Sequence, residues 1–313
     1  MRAAVIHDDE RITVEERPDP PVGPGQVQVR VRAAGLNGAD MAQRKGRYPA
    51  PAGYPQDIPG MEFAGEVAEL GPGATRFSVG DRVMAITGGG AQAELVSVHE
   101  RELMAIPDGV GWAAAGGFPE VFITAHDAIF GQGQLKPGER LLVHGAAGGV
   151  GTAAVQLGHA LHARVHATVR NPDHRQAVAA LGATVHAPDD FTDAGPFDVV
   201  LELVGAPNLA ANISALNFWG RVVIIGVGGG AQAEFNLGSL MYKRGRILAS
   251  TLRARPLEEK AAATRAVERS VLPLLGDGVL TVPVAATYPL EEIEAAYDRF
   301  AAGAKLGKIV VLT

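Results

Sequence analysis

The segment Leu141-Leu-Val-His-Gly-Ala-Ala-Gly-Gly-Val-Gly151 sets a cluster of glycines directly behind an apolar run, and Thr152–Leu157 continues as a helix-forming stretch. It predicts a buried strand, a tight turn, and a helix whose first turn begins inside that turn. Backbone N–H groups and the positive helix end then converge on one spot, the arrangement that binds a pyrophosphate. Gly148 lets the backbone approach phosphate oxygens, and Gly151 lets the helix pack on the strand. Ala147, Gly149 and Val150 complete the candidate cradle. Ala146 stands at the first glycine position of G-x-G-x-x-G, small enough to keep the turn.

A second strand follows about 20 residues on, where a dinucleotide site selects its ribose. An NAD site carries Asp or Glu at that tip. Here Ala167–Arg175 places Val169 near the tip, with Arg170 and Arg175 after it. A carboxylate would repel a 2′-phosphate, whereas a guanidinium binds it through charge-assisted hydrogen bonds. The expected cofactor is NADPH, with Arg170 as the main phosphate contact.

The elements that must position these residues fall into two patterns. Up to about residue 118, short alternating segments such as Gln26–Arg32, Phe63–Leu70, Arg82–Ala85 and Ala91–Val98 are divided by Gly and Pro, which predicts a twisted, partly closed β domain. Residues 113–130 read as helical, interrupted near Gly116, Gly117 and Pro119. From Arg140 onward, apolar strands alternate with helices at βαβ spacing: Leu141–His144, Arg164–Thr168, Thr184–His186, Val199–Leu203, Arg221–Ile225 and Ile247–Ser250. Runs without alternation suit strands covered on both faces. A helix to about Leu275, bent or ended at Pro273, a strand at Val284–Tyr288, an amphipathic helix at Leu290–Ala302 and a strand at Lys308–Leu312 follow. These last strands fit the first domain. The predicted fold is α/β, a Rossmann-type doubly wound parallel sheet (121–256) inserted into a β domain made of 1–120 and 257–313.

Composition narrows the function. The chain has 313 residues, 47% hydrophobic and 20% charged, with a net charge of -6. That suits two buried cores and argues against nucleic acid as the main partner. The chain contains no Cys, so disulfides, Cys-ligated zinc, Fe–S clusters and thiol nucleophiles are excluded. His159 and His162 have no third ligand near them in sequence and read as a solvated helix face. Met1–Ile6 followed by His7-Asp-Asp-Glu10 does not read as a signal peptide, and no apolar run reaches membrane-spanning length. A cytoplasmic protein is expected.

Together these segments resemble the medium-chain dehydrogenase/reductase superfamily, in its zinc-free quinone oxidoreductase branch, over essentially the entire chain. Ala33–Tyr48 resembles the branch's N-x-x-D-x-x-x-R-x-G-x-Y signature, and Pro59–Val67 and Val79–Val83 are similarly typical. Ala249–Arg255 resembles the tumour-suppressor-inducible quinone reductase subgroup. Zinc-dependent relatives have Cys where this chain has Asn37 and His where it has Met61, and neither replacement can serve zinc in their place. The resemblance therefore implies no metal site, a GroES-like catalytic domain, and hydride transfer from NADPH to an easily reduced acceptor. A quinone or similar conjugated carbonyl fits. A 2-alkenal or enoyl-thioester reductase is the alternative, and a low-turnover NADPH-binding redox sensor, as zeta-crystallin suggests, is a third reading.

The same resemblance places Asn37 near the nicotinamide ribose and Tyr48 in the acceptor pocket. It makes Thr124, Val204, Gly205, Gly226, Val227, Thr251, Leu252 and Lys308 candidate cofactor contacts. Asp40 and Arg44, one helical turn apart, are expected to form a local ion pair. A homodimer is implied through the last strand of the nucleotide domain, near Ile247–Ser250.

Overall fold

The chain begins with a hairpin. β1 (Arg2–Ile6) and β2 (Ile12–Glu16) pair antiparallel around a turn in which Glu10 has φ 63°. The long β3 (Gln26–Gly35) follows, then α1 (Gly38–Arg44), β4 (Glu62–Leu70), β5 (Arg82–Ile86), β6 (Leu95–His99) and β7 (Leu103–Ala105). The alternation in β3 does what its period dictates: Val27, Val29 and Val31 are buried, and pack with Phe63, Val67, Val83, Val96 and Val98. Each such side chain contributes roughly 1.5–3 kcal/mol of burial. The expected strand at Ala91–Val98 is shorter because Ala93 instead bridges back to Ala3.

The helical stretch over 113–130 is interrupted where the glycines and proline predict, giving α2 (Trp112–Gly116) and α3 (Pro119–His126), followed by a wider π turn at Asp127–Gln132. Gly116 lies so close to β3 that a Cβ there would sit 2.6 Å from the Ala33 side chain. Pro119 then opens the next helix, a position that tolerates its missing N–H.

The next elements run β8 (Arg140–Val143), α4 (Gly149–Ala160), β9 (Arg164–Thr168), α5 (Arg175–Ala180) and β10 (Thr184–His186). They continue as β11 (Phe197–Glu202), α6 (Leu209–Ser214), β12 (Leu216–Ile224), α7 (Leu237–Lys243) and β13 (Arg246–Ala249). The six strands are parallel, in the order β10-β9-β8-β11-β12-β13. Leu141, Leu142, Val143, Val199, Val200 and Leu201 are fully buried, as strands covered on both faces require.

The return segment holds α8 (Leu257–Ser270), α9 (Leu272–Gly276), β14 (Val284–Pro289), α10 (Ile293–Ala301) and β15 (Lys308–Leu312). The chain separates α8 from α9 at Val271, and Pro273 falls in the first turn of α9. β15 lies between β14 and β3, in a sheet ordered β14-β15-β3-β4-β5-β7 with β6 also paired to β3. Ile293 and Tyr297 of α10 are buried against it, with Phe300 half-buried beside them.

In the computed structural model, which describes residues 1–313, contacts divide the chain into two units: Met1–Ile123 with Leu252–Thr313, and Thr124–Thr251. The first unit resumes at Leu252 rather than at 257 for a physical reason: the Arg253 side chain is bonded into it. No helix is long and apolar enough to cross a membrane.

Candidate functional site

Strand order reverses at β8, whose neighbours β9 and β11 lead the chain in opposite directions. In open α/β sheets the ligand crevice lies at the carboxyl end of that switch. The glycine turn sits there. Gly145 takes φ 64°, and Gly148 caps α4 in extended conformation with no side chain to close the first helical turn. A Cβ on Gly148 would meet only Gly145 O, at an ordinary 3.4 Å, so this side of the turn is open. A Cβ on Gly151 would lie 2.6 Å from both Ala146 Cα and Gly145 O, which leaves no room for a side chain. Ala146 is itself fully buried, so its methyl fills the turn's inner side without reaching the crevice. Ala147, Gly148, Gly149 and Val150 are part-exposed at the head of this 12-residue helix. The open first turn fits a pyrophosphate.

At the tip of β9, Val169 is buried and donates its N–H to His186 O. Arg170 is exposed just beyond it. Arg175 opens α5 and donates from Nε to Val169 O at 3.2 Å, which ties its guanidinium to the strand tip. Past β11, Val204 and Gly205 form a turn in which Gly205 has φ 110°. A Cβ on Gly205 would lie 2.6 Å from Gly230 O, and one on Gly226 2.5 Å from Leu203 O. Both positions therefore need glycine to bring the two turns together. Val227 is exposed next to them, Thr251 is exposed beyond β13, and Thr124 is buried on α3. Leu252 is buried in the other unit.

In the first unit, Asn37 and Tyr48 sit on separate supports. Asn37 precedes α1, and its Nδ2 donates to Glu62 Oε1 at 2.9 Å and to Gly35 O at 3.3 Å. Lys308 is engaged within its own unit. It lies on an interior strand, and its ammonium donates to Glu62 Oε1 at 2.6 Å, Leu36 O at 2.7 Å and Asn37 Oδ1 at 2.7 Å. All three N–H groups are thereby used inside this unit, so Lys308 holds Asn37 rather than offering a free donor. Glu62 Oε2 accepts the Glu120 N–H, which satisfies both oxygens of a carboxylate with no exposure.

The expected Asp40–Arg44 ion pair does not form. Asp40 is fully buried and accepts N–H bonds from Asn37 at 2.8 Å and Gly60 at 3.1 Å. Burial pushes its carboxyl up to about 6. Arg44 turns instead toward Glu294 and Asp298 of α10.

Arg253 is a site residue that the spacing of motifs did not reveal. It is buried, and donates from Nε to Gly88 O at 2.8 Å, from Nη1 to Tyr48 O at 3.0 Å, and from Nη2 to Gln43 Oε1. Its guanidinium also lies over the Tyr48 ring, 5.3 Å from the centroid. Burial raises the Tyr48 phenol above its ordinary pKa, so at neutral pH it keeps its proton and can donate a hydrogen bond. The only sequence sign of Arg253 was its place in Ala249–Arg255.

Comparison with known proteins agrees with this geometry. An alcohol dehydrogenase GroES-like domain model matches residues 23–130, and a zinc-binding dehydrogenase model matches 149–269. A quinone oxidoreductase of Pseudomonas aeruginosa is 31% identical over 301 residues, covering 93% of this chain and 92% of that protein. A pikromycin polyketide synthase component of Streptomyces venezuelae is 39% identical over 218 residues, covering 66% of the chain. A mycocerosic acid synthase-like polyketide synthase of Mycolicibacterium smegmatis is 30% identical over 299 residues, 92% of the chain. The chain spans only 6% and 14% of the lengths of those two synthases. Among solved structures, an alcohol dehydrogenase superfamily protein from Novosphingobium aromaticivorans superposes with TM-score 0.89 at 32% identity, covering 100% of this chain and 99% of that one.

Proposed function

The chain belongs to the medium-chain dehydrogenase/reductase superfamily, nicotinamide-dependent oxidoreductases, and from that premise we propose that it reduces a quinone or similar conjugated carbonyl with NADPH. The observation that carries the cofactor half is the strand tip: Val169 fills it, with the exposed Arg170 and the tethered Arg175 beside it. The bound nicotinamide supplies the hydride. The protein's own part is to bind and orient. The N–H groups at the head of α4 hold the pyrophosphate, and the guanidinium of Arg170 holds the 2′-phosphate. Tyr48, clamped by Arg253, lines the acceptor side, and Asn37 is held there by Lys308. A proton from water or a hydroxyl completes the reduction.

A zinc-independent reaction is supported by donor chemistry. Met61 and Asn37 stand at ligand positions of the zinc-dependent relatives, and Glu62 is committed to Lys308. No three His, Cys, Asp or Glu side chains are grouped to hold a metal. Without a Lewis acid, acceptors that take hydride readily are favoured. The polyketide synthase matches favour a second reading, reduction of an enoyl thioester by the same hydride transfer. NADPH oxidation with ortho- and para-quinones, α,β-unsaturated aldehydes and enoyl thioesters separates them, and quinones are expected to turn over fastest. Turnover confined to thioesters or aldehydes selects the second reading. Tight NADPH binding with no acceptor selects a sensor.

We also propose a cytoplasmic homodimer. β13 ends the parallel sheet with one side unpaired. Phe218, Trp219, Met241 and Tyr242 of the same unit are 46%, 59%, 75% and 70% exposed. The Phe218 and Tyr242 rings lie 5.5 Å apart, and Arg244 lies over Phe218 and Trp219, so these three aromatic residues form one patch, with Met241 exposed next to Tyr242 in sequence. An open edge beside an exposed apolar patch is the signature of a covered interface. Light scattering at micromolar concentration should give a dimer mass, which Met241→Lys should shift toward monomer. A monomeric wild type rejects the proposal.

A further inference from the structure

Four polar side chains lie buried beneath the crevice of the parallel sheet, hydrogen-bonded to one another. His144, Thr168, Glu202 and Asn212 are 1%, 4%, 1% and 0% exposed. They stand at telling places: His144 immediately precedes the glycine turn, Thr168 precedes Val169 and Arg170, and Glu202 precedes the Val204–Gly205 turn.

Their hydrogen bonds run in one direction. Glu202 Oε1 accepts N–H bonds from Val204 at 2.6 Å and Gly205 at 2.8 Å. Glu202 Oε2 accepts from Asn212 Nδ2 at 2.7 Å. An ionised carboxylate can only accept, so the Asn212 amide must turn its nitrogen to Glu202 and its oxygen to the histidine. Asn212 Oδ1 lies 2.7 Å from His144 Nε2, which therefore carries the ring proton. His144 Nδ1 then accepts from the Thr168 hydroxyl at 2.9 Å. Burial pushes the imidazole pKa down, so the ring is neutral and holds a single proton.

We propose that these side chains form one directional hydrogen-bonded relay, set by Glu202, that positions the three turns for the dinucleotide. Glu202 and Asn212 are its positioning residues. The inference rests on the dinucleotide reading of the crevice. Its physical basis is that burying four polar groups is unfavourable unless every one is satisfied, and apolar side chains would fill the same space. Through Asn212 of α6, the relay joins the ends of β8, β9 and β11, the strands at the switch point.

The relay makes a specific prediction for Glu202→Gln. The glutamine oxygen stays on the Val204 and Gly205 amides, and its NH2 faces Asn212. Asn212 must flip, His144 must move its proton to Nδ1, and Thr168 must become an acceptor. Nitrogen-15 NMR of the imidazole should show the Nε2–H tautomer in the wild type and Nδ1–H in Glu202→Gln. Adding Asn212→Asp should restore Nε2–H, because the new carboxylate again accepts from the ring.

NADPH affinity, read by fluorescence titration, should fall about tenfold in Glu202→Gln, since the turn amides exchange a carboxylate for a neutral oxygen. Thr168→Val keeps the charge and removes only the far end of the relay; it should also weaken NADPH, while His144 keeps Nε2–H. That variant carries the test if Glu202→Gln fails to fold. An unchanged tautomer in folded Glu202→Gln overturns the relay, and NADPH affinity within twofold of wild type in either folded variant overturns its positioning role. A wild type that binds neither NADPH nor NADH would instead overturn the dinucleotide reading, and the positioning role with it.

Discussion

Lys308→Met should lower unfolding stability by about 3–5 kcal/mol, the loss typical when one partner of a buried ion pair is removed. Lys308 and Glu62 are 2% and 0% exposed, with Nζ and Oε1 2.6 Å apart. Without the ammonium, Glu62 is a buried carboxylate left with only the Asn37 amide and the Glu120 N–H. Leu36 O and Asn37 Oδ1 lose their donor as well. Adding Glu62→Gln should recover most of the loss. The glutamine oxygen can accept from Glu120 N–H. Its NH2 then stands where Oε1 met Asn37 Nδ2, so the Asn37 amide, freed from Lys308, must flip to turn Oδ1 toward it. A neutral replacement for a buried pair is often tolerated. Urea denaturation at constant m measures both changes. A Lys308→Met loss below about 1 kcal/mol, or a double variant no better than the single, would show that the pair is not what supports Glu62.

That pair also shows where sequence reading stops. Nothing in the sequence joins Glu62 to Lys308, because their meeting depends on β15 being threaded beside β3. No local pattern encodes that pairing. Asp40 and Arg44 failed differently. Their spacing does favour an ion pair on an isolated helix, but Gly60 N–H captures the Asp40 oxygen and α10 captures Arg44. The glycine turn was legible for the opposite reason. Gly145, Gly148 and Gly151 satisfy constraints imposed by their immediate neighbours, so residue type and spacing suffice. The strands of the parallel sheet were legible because burial on both faces demands uninterrupted apolar runs. The β1–β2 hairpin carries no clear sequence signal, since its turn has Asp and Glu rather than Asn-Gly. The polar groups under the crevice form no motif, because His144, Thr168, Glu202 and Asn212 are separated in sequence and meet only through the fold.

Arg170→Ala should weaken NADPH binding at least tenfold and leave NADH little changed, since a hydrogen bond to a charged group contributes roughly 1.5–3 kcal/mol. The argument rests on what β9 offers at its end. Val169 is buried and can neither accept a ribose hydroxyl nor repel a phosphate. Arg170 is exposed and unburdened by packing, so its removal should cost binding and little stability. Arg175 differs: its Nε is engaged with Val169 O, which fixes the guanidinium plane and leaves its outer N–H groups to a ligand. Arg175→Ala should therefore lose NADPH affinity and also loosen the strand tip. Removing both arginines should multiply the losses, to about a hundredfold, if the two contacts are independent charge-assisted bonds. Val169→Asp supplies the converse test, because a carboxylate at the tip should accept the ribose hydroxyl of NADH and repel the phosphate of NADPH. Titration of each variant with both cofactors separates the outcomes. Equal losses for NADPH and NADH in Arg170→Ala would mean that this arginine does not read the phosphate, and selectivity would have to be sought elsewhere along the crevice.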